Sequence, residues 1–309
     1  MSRRTRRRPP LTQTRVAALR SQLDAVLRST DRQARLAADP VSFVHRYSDP
    51  ADQEVAAVFA SVLAYGRVAA FRPVIRAVLE VADGHGGPRA WVEAAENPDL
   101  LVSLAPLRYR WMQGTELASL ARGVGRVVRD HGGLEPVFQG GRARGDDLGA
   151  GIVALRRAVM AGEGTDDWTA LPRGLRYMLP HPASGSACKR WCMFMRWMVR
   201  PPHPGPDGID LGIWSRSTSR LVIPLDTHVL RLSRFLRLTA RRDGSWRTAL
   251  QVTDALARIA PDDPLRYDFA LAHLGISGLC KGGFHADVCP SCDLRAVCGE
   301  VPKKLRSTG

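Results

Sequence analysis

The hydrophobic residues of this chain recur at the helical period almost throughout, and that repeat constrains its fold class more than any other feature. Val55, Val58, Phe59, Val62 and Leu63 fall at i, i+3, i+4, i+7 and i+8, which builds one apolar helix face. Trp191, Phe194, Met195, Met198 and Val199 repeat the pattern. Val229, Leu232, Phe235 and Leu236 give another face, and Val252, Leu256 and Ile259 a further one. No alternating runs flank hairpin turns, so a large sheet is not expected and the chain reads as all-α. Breaks are expected at Asp83–Pro88, Gly140–Gly145, Pro180–Gly185 and Pro201–Gly212. Asp166 and Asp226 each stand where a carboxylate can cap a helix start. Trp191 and Trp197 read as core, and Cys188 and Cys192, an i, i+4 pair, as packing residues.

Length and charge narrow the classes. The 309 residues suffice for one large domain or two modest ones. No stretch longer than twelve residues lacks a charged side chain, which excludes a bilayer-spanning helix. The net charge is +15, and +10 remains without Arg3, Arg4, Arg6, Arg7 and Arg8. A polyanion is therefore the expected partner, nucleic acid ahead of an anionic membrane. Pro9 and Pro10 follow the Arg tail where an export signal would need an apolar segment, so the protein is expected to be cytoplasmic. The tail is either a solvated disordered arm or an arm that touches phosphates.

Four of the six cysteines crowd into nineteen residues as Cys280-x8-Cys289-x2-Cys292-x5-Cys298. Clustered thiols in an intracellular chain read as metal ligands or reactive groups. Four thiolates suit an iron–sulfur centre or a tetrahedral zinc. Structural zinc loops usually offer two CxxC-like knuckles, and the single CxxC here suits a cubane 4Fe–4S cluster better, with zinc as the alternative.

Two other segments carry chemistry. Leu179-Pro180-His181-Pro182-Ala183-Ser184-Gly185-Ser186-Ala187-Cys188-Lys189-Arg190 is a Gly/Pro turn feeding an apolar helix, whose free N–H groups can hold a phosphate. Pro224-Leu225-Asp226-Thr227-His228-Val229 puts a carboxylate at the entrance of an amphipathic run. The hairpin, Lys189, the PLDTHV stretch and the four-cysteine loop occur in the order found in the helix-hairpin-helix DNA glycosylase superfamily, which includes endonuclease III and MutY-like adenine glycosylases. Roughly residues 40 to 298 resemble it. The segments FVHRYSDPADQEVAAVFASVLAYGR, GSACKR, MFMRWMVR, PLDTHV and DPLRYDFALAHLGI more closely resemble a bacterial family of conserved hypothetical proteins related to that superfamily. The hairpin here reads LPHPASGSACK rather than LPGVGxxTA, and the Pro201–Leu221 insertion puts Lys189 and Asp226 37 positions apart.

The resemblance implies a two-lobed all-α glycosylase-like fold with a C-terminal cluster loop. Residues 1–15 are expected to be a disordered tail, 16–39 an N-terminal helix of a discontinuous cluster lobe, and 40–223 a helical lobe with the hairpin. Residues 224–300 complete the cluster lobe and 301–309 form a tail. It further implies a monomer that excises a damaged or mismatched base from double-stranded DNA, with no membrane partner. The target nucleotide is flipped into a pocket, and C1′ of its sugar develops oxocarbenium character. Asp226 stabilises that charge and Lys189 attacks C1′, giving a Schiff base and lyase activity. Lys189 otherwise binds phosphate beside Arg190, and Asp226 otherwise serves as an N-cap. Gly185, Arg190 and His228 are candidate DNA contacts, His228 equally a structural residue. Tyr65 and Arg67, after the first apolar helix, fill the gap left by the base or, with Gly66, belong to core and cap. The rivals are a non-catalytic iron–sulfur protein that binds DNA damage or structure, and an RNA-binding protein.

Overall fold

The computed structural model describes residues 11–31, 36–143, 147–165, 167–202, 209–215 and 221–306. The Arg tail and Asp166 lie outside them. Helices dominate: α1 (Gln13–Ser29), α2 (Val41–Val44), α3 (Pro50–Leu63), α4 (Val68–Asp83), α5 (Pro88–Glu93), α6 (Gly114–His131) and α7 (Leu134–Ala143). They continue with α8 (Leu148–Met160), α9 (Arg173–Met178), α10 (Lys189–Val199), α11 (Thr227–Phe235), α12 (Trp246–Ala257), α13 (Asp268–Ile276) and α14 (Lys303–Arg306). The fold is all-α, with one small antiparallel hairpin of β1 (Arg108–Tyr109) and β2 (Met112–Gln113) among the described residues.

The central helix is α3. Asp49 Oδ1 accepts the Ala51 N–H at 2.7 Å and Pro50 occupies the first turn, so capping and a preset φ start the helix together. Every residue from Glu54 to Leu63 is buried. Glu54 is tolerated there because its carboxylate accepts from Trp214 Nε1 at 2.7 Å and Leu134 N at 3.0 Å. A second largely buried helix, α10, packs against α3 and buries Trp191, Phe194, Met195, Trp197 and Met198.

Residues far apart in sequence close the molecule. From α1, Arg15 Nη2 donates to Val297 O at 2.6 Å and Arg20 Nε to Ile259 O at 2.7 Å. Tyr267 donates to Asp24 Oδ1 at 2.8 Å and Ser29 to Asp293 Oδ2 at 2.7 Å. One contiguous core runs from Val16 to Val297.

The structure corrects several expectations. The helix starts at Gln13, capped by Thr12, so order begins inside the expected 1–15 tail. At the other end Val301 is buried and Arg306 donates to Val301 O and Gly299 O, so residues 301–306 belong to the fold. The stretch after Asp167 is a turn, in which Asp167 accepts from Thr169 N at 2.8 Å, rather than a helix start. The described part of Pro201–Gly212 is the expected break, without helix or strand, but its end is anchored to the core: Leu211 N bonds Trp197 O at 2.9 Å, and Ile209 and Asp210 are buried. The expected break at Gly140–Gly145 begins later, because α7 continues to Ala143. Gly141 is there for close approach to α8, where an added Cβ would meet the Ala154 Cβ at 2.4 Å.

Adjacent glycines in α7 are thereby predicted to respond with opposite sign. Gly140 has open space around it, so Gly140→Ala should stabilise by about 0.5–1 kcal/mol through helix propensity. Gly141→Ala should destabilise by about 1–3 kcal/mol through overpacking. Urea unfolding of the two variants reads both; equal effects would contradict the α7–α8 packing.

Candidate active site

Two left-handed residues set up the first half of the site. Pro182–Ser184 form a single 3-10 turn ending at Gly185 with φ +78°, and Cys188 has φ +51°. Ser186 Oγ accepts the Cys188 N–H at 3.1 Å. This reversal starts α10 at Lys189, directly after the exposed turn. The second half is the cap of α11: Asp226 Oδ1 accepts His228 N at 2.9 Å and Val229 N at 2.8 Å. Capping occupies only Oδ1. The other oxygen, Oδ2, stands 3.7 Å from Lys189 Nζ, the two side chains being 35% and 16% exposed. That distance exceeds the roughly 2.7–2.9 Å of a charge-assisted hydrogen bond, so the two attract without being locked together. Both face solvent from a largely buried frame.

Beneath them is an ion network that the hydrophobic periodicity does not reveal. Arg196 Nη1 donates to Asp268 Oδ2 at 2.6 Å and its Nε and Nη2 to Asp210 Oδ2 at 3.2 Å. Arg200 Nη1 donates to the same Asp210 oxygen at 2.9 Å, and its Nε to Asp263 Oδ2 at 2.9 Å. All but Asp263 are buried. Burial pushes the Asp268 carboxyl up to about 6, against the pull of Arg196 and helped by the charge of Asp226. Asp268 Oδ1 has no hydrogen-bond partner.

The other expected contacts divide. Gly185 and Arg67 are exposed. Tyr65 is a core residue, 8% exposed, donating to Tyr109 O at 3.0 Å while its own carbonyl accepts the Tyr109 hydroxyl. Arg190 sits over the rings of Tyr177 at 4.3 Å and Tyr65 at 5.1 Å, with Nη1 buried and unpartnered. Burial drives its pKa down to about 10. His228 packs on α13, where Gly275 leaves room for it: a Cβ there would lie 2.5 Å from the His228 Cβ.

An exposed ladder of arginines and aromatics lies next to Arg190. Arg110 is at the hairpin tip with φ +56° and stacks over Trp111 at 5.1 Å; Arg173 covers the same ring at 4.6 Å. Trp111 meets Tyr177 edge-on at 4.7 Å. Strands of two residues are too short to show an alternation, so this ladder left no periodic signal.

Cys280, Cys289, Cys292 and Cys298 line one cleft of about 490 Å³ of empty space, walled by apolar side chains such as Leu232, Phe235 and Leu274. Burial raises the Cys292 and Cys298 thiols. His285 N donates to Cys289 Sγ at 3.3 Å, and Arg231 of α11 holds Cys280 O at 3.2 Å. Among the described residues no three His, Cys, Asp or Glu side chains are disposed around a single metal ion. Cys188 and Cys192 are buried, and the Cys188 thiol is pushed up to about 12 by burial. Among the described residues no helix is long and apolar enough to cross a membrane.

The chain belongs to the DUF2400 family, described as proteins of unknown function, whose profile matches residues 39–277. The match takes in Lys189, Asp226 and Asp268 and stops short of Cys280. No curated protein and no solved structure matches the chain.

Removing Arg196 should expose the cost of the carboxylates it holds. Arg196→Met leaves Asp268 and part of the Asp210 charge uncompensated and is expected to lower the unfolding free energy by about 3–5 kcal/mol. A change below about 1 kcal/mol in urea titration at pH 7 would mean the network contributes little.

Proposed function

We propose that this protein is a DNA N-glycosylase of the helix-hairpin-helix type, acting on a damaged or mismatched base in double-stranded DNA. The observation that carries the reading is the 3.7 Å approach of Lys189 Nζ to Asp226 Oδ2 across 37 sequence positions. An amine and a carboxylate, partly exposed beside a turn that presents Gly185, are the groups that glycosidic cleavage at a sugar requires.

Flipping brings C1′ of the target nucleotide against the pair. As the C1′–base bond lengthens, positive charge develops on the sugar and the free oxygen of Asp226 faces it. The capping bonds to Oδ1 hold the carboxylate in place. In the bifunctional form Lys189 first gives its ammonium proton to water, and Nζ then bonds to C1′ as the C1′–base bond breaks and the base leaves. Cleavage of C1′–O4′, with a proton passing to O4′, yields the Schiff base that permits strand elimination. In the monofunctional form Asp226 directs water and the product is an abasic site.

The four cysteines suit a 4Fe–4S cluster. In a cubane each thiolate binds a different iron, so thiols spread around one cleft fit better than they fit a single zinc, which needs convergence on one point. Such a cluster, when bound, supplies a rigid fold element in the C-terminal loop. Arg231 and Arg15 hold that loop to α11 and α1. The ladder of Arg110, Trp111, Arg173 and Tyr177 adds a basic, stacking surface in keeping with a nucleic-acid partner. The same ladder favours the second reading, a non-catalytic protein that grips damaged DNA, because grip alone needs no Asp226. A cytoplasmic monomer is the expected form of either.

Borohydride trapping on duplexes with single lesions tests the first reading. Wild-type protein should give a covalent adduct with at least one lesion, and Lys189→Ala should lose it. A full-strength adduct from Lys189→Ala removes Lys189 as nucleophile. Anaerobically purified protein should be brown and hold about four iron per chain; colourless protein with zinc overturns the cluster assignment. Double substitution Arg110→Ala/Arg173→Ala should weaken duplex binding and reduce the slope of log K against log salt by about 1 to 2; an unchanged slope removes these arginines from the interface.

A further inference from the structure

A second pocket lies between α8 and the start of the hairpin turn at His181. It holds about 380 Å³ of empty space between α8 and the turn, and its polar lining is Arg156, Arg157, Thr165, Trp168 and His181, with no acidic side chain among the lining residues. Arg156 is only 5% exposed. Its Nε is committed to Leu179 O at 2.8 Å, while Nη2 is buried with no hydrogen-bond partner. A buried guanidinium edge left unpaired costs free energy unless something accepts from it.

Each polar side chain lining this space can donate. His181 Nδ1 accepts the Ala183 N–H at 3.0 Å, so the neutral ring must carry its proton on Nε2. Burial and the Arg156 charge both favour that neutral ring. Thr165 Oγ1 accepts the Asp167 N–H at 3.0 Å, which leaves its hydroxyl hydrogen to give. Trp168 stacks on His181 with ring centroids 5.6 Å apart and planes 17° from parallel, and Arg156 lies over the same indole at 6.0 Å. The stack holds both cationic and donor groups in position from below. Two guanidiniums, an imidazole N–H and a hydroxyl around one opening form a donor-rich site with no acidic side chain in its lining.

We infer that this pocket binds a phosphate group. A carboxylate offers two oxygens in a plane, whereas donors spread over two helix positions, a loop hydroxyl and a turn imidazole match the several oxygens of a tetrahedral anion. The phosphate comes either from a free nucleotide or from a nucleic-acid strand passing the hairpin turn. The inference stands on Arg156 and its neighbours and does not depend on the glycosylase reading.

The test is calorimetric titration of the full chain with inorganic phosphate, with sodium chloride matched in ionic strength as the reference. Wild-type protein should bind one phosphate saturably. Arg157→Glu, at an exposed position, should weaken binding about tenfold or more, as the loss of a charge-assisted bond and the gain of a repulsive charge require. Thr165→Val should weaken it less, and Arg156→Gln should abolish it; where Arg156→Gln does not fold, Arg157→Glu decides. Absence of saturable binding, or Arg157→Glu binding as tightly as wild type, overturns the inference. Competition by a 5′-phosphorylated oligonucleotide but not by its unphosphorylated twin assigns the site to a strand terminus. Competition by both assigns it to backbone phosphate, and by neither to a free nucleotide.

Discussion

The buried exchange of charge between Arg196, Arg200, Asp210, Asp263 and Asp268 is the constraint on which the rest of the molecule depends. Ions taken from water cost several kcal/mol each unless paired with good geometry, so such a network tolerates few alternative arrangements. Here it joins three pieces of chain: α10, the segment around Asp210 and the start of α13. With Arg196 held on both sides, α10 cannot rotate about its axis, and its first residue, Lys189, is fixed in direction. Through α13, which packs on α11 at Gly275 and His228, the same network fixes the helix that Asp226 caps. The 3.7 Å approach of the two groups is thus a consequence of pairing several residues further in.

Specificity of position rather than gross stability is what the network contributes. Its unpaired atoms, Asp210 Oδ1 and Asp268 Oδ1, leave it short of full satisfaction, and well-packed apolar residues would cost less desolvation. Asp268 also lies close enough to Asp226 for the two carboxylates to feel each other, which raises the proton affinity of the buried one. The consequence is a capping carboxylate with a buried, ion-paired carboxyl behind it whose pKa is raised to about 6. Arg15 and Arg231 extend the same logic to the C-terminal loop: each ends on a backbone carbonyl, ordering the cysteine segment by bonds from helices α1 and α11.

Much of this was legible in the sequence. The apolar faces at Val55–Leu63 and Trp191–Val199 became the two buried helices, because a 3.6-residue repeat of large apolar side chains has no other stable use. Asp226 caps its helix as an aspartate before an amphipathic run should. The four cysteines line one cleft, but among the described residues no three such side chains are disposed around one metal ion. What stayed hidden depends on distance along the chain. Arg196 and Asp268 are 72 positions apart, and neither carries a local mark that distinguishes it from a solvated surface charge. The hairpin at Arg108–Gln113 is too short for a pattern. Tyr65 looked equally like core and wedge, and only the Tyr109 pairing puts it in the core. Gly141 looked like a break because glycine is read as punctuation, whereas here its missing side chain lets two helices touch.

Asp226 either does chemistry or only caps a helix. Single-turnover base release from a panel of lesion-bearing duplexes, compared between wild type and Asp226→Asn, separates the two most directly. Asparagine keeps an oxygen for His228 N and Val229 N, so the fold and the affinity for duplex should persist. Release of a base by wild type and its loss by a factor of about 10² or more in Asp226→Asn is the predicted result. Equal release by both proteins, or none by wild type on any duplex it binds, would contradict it.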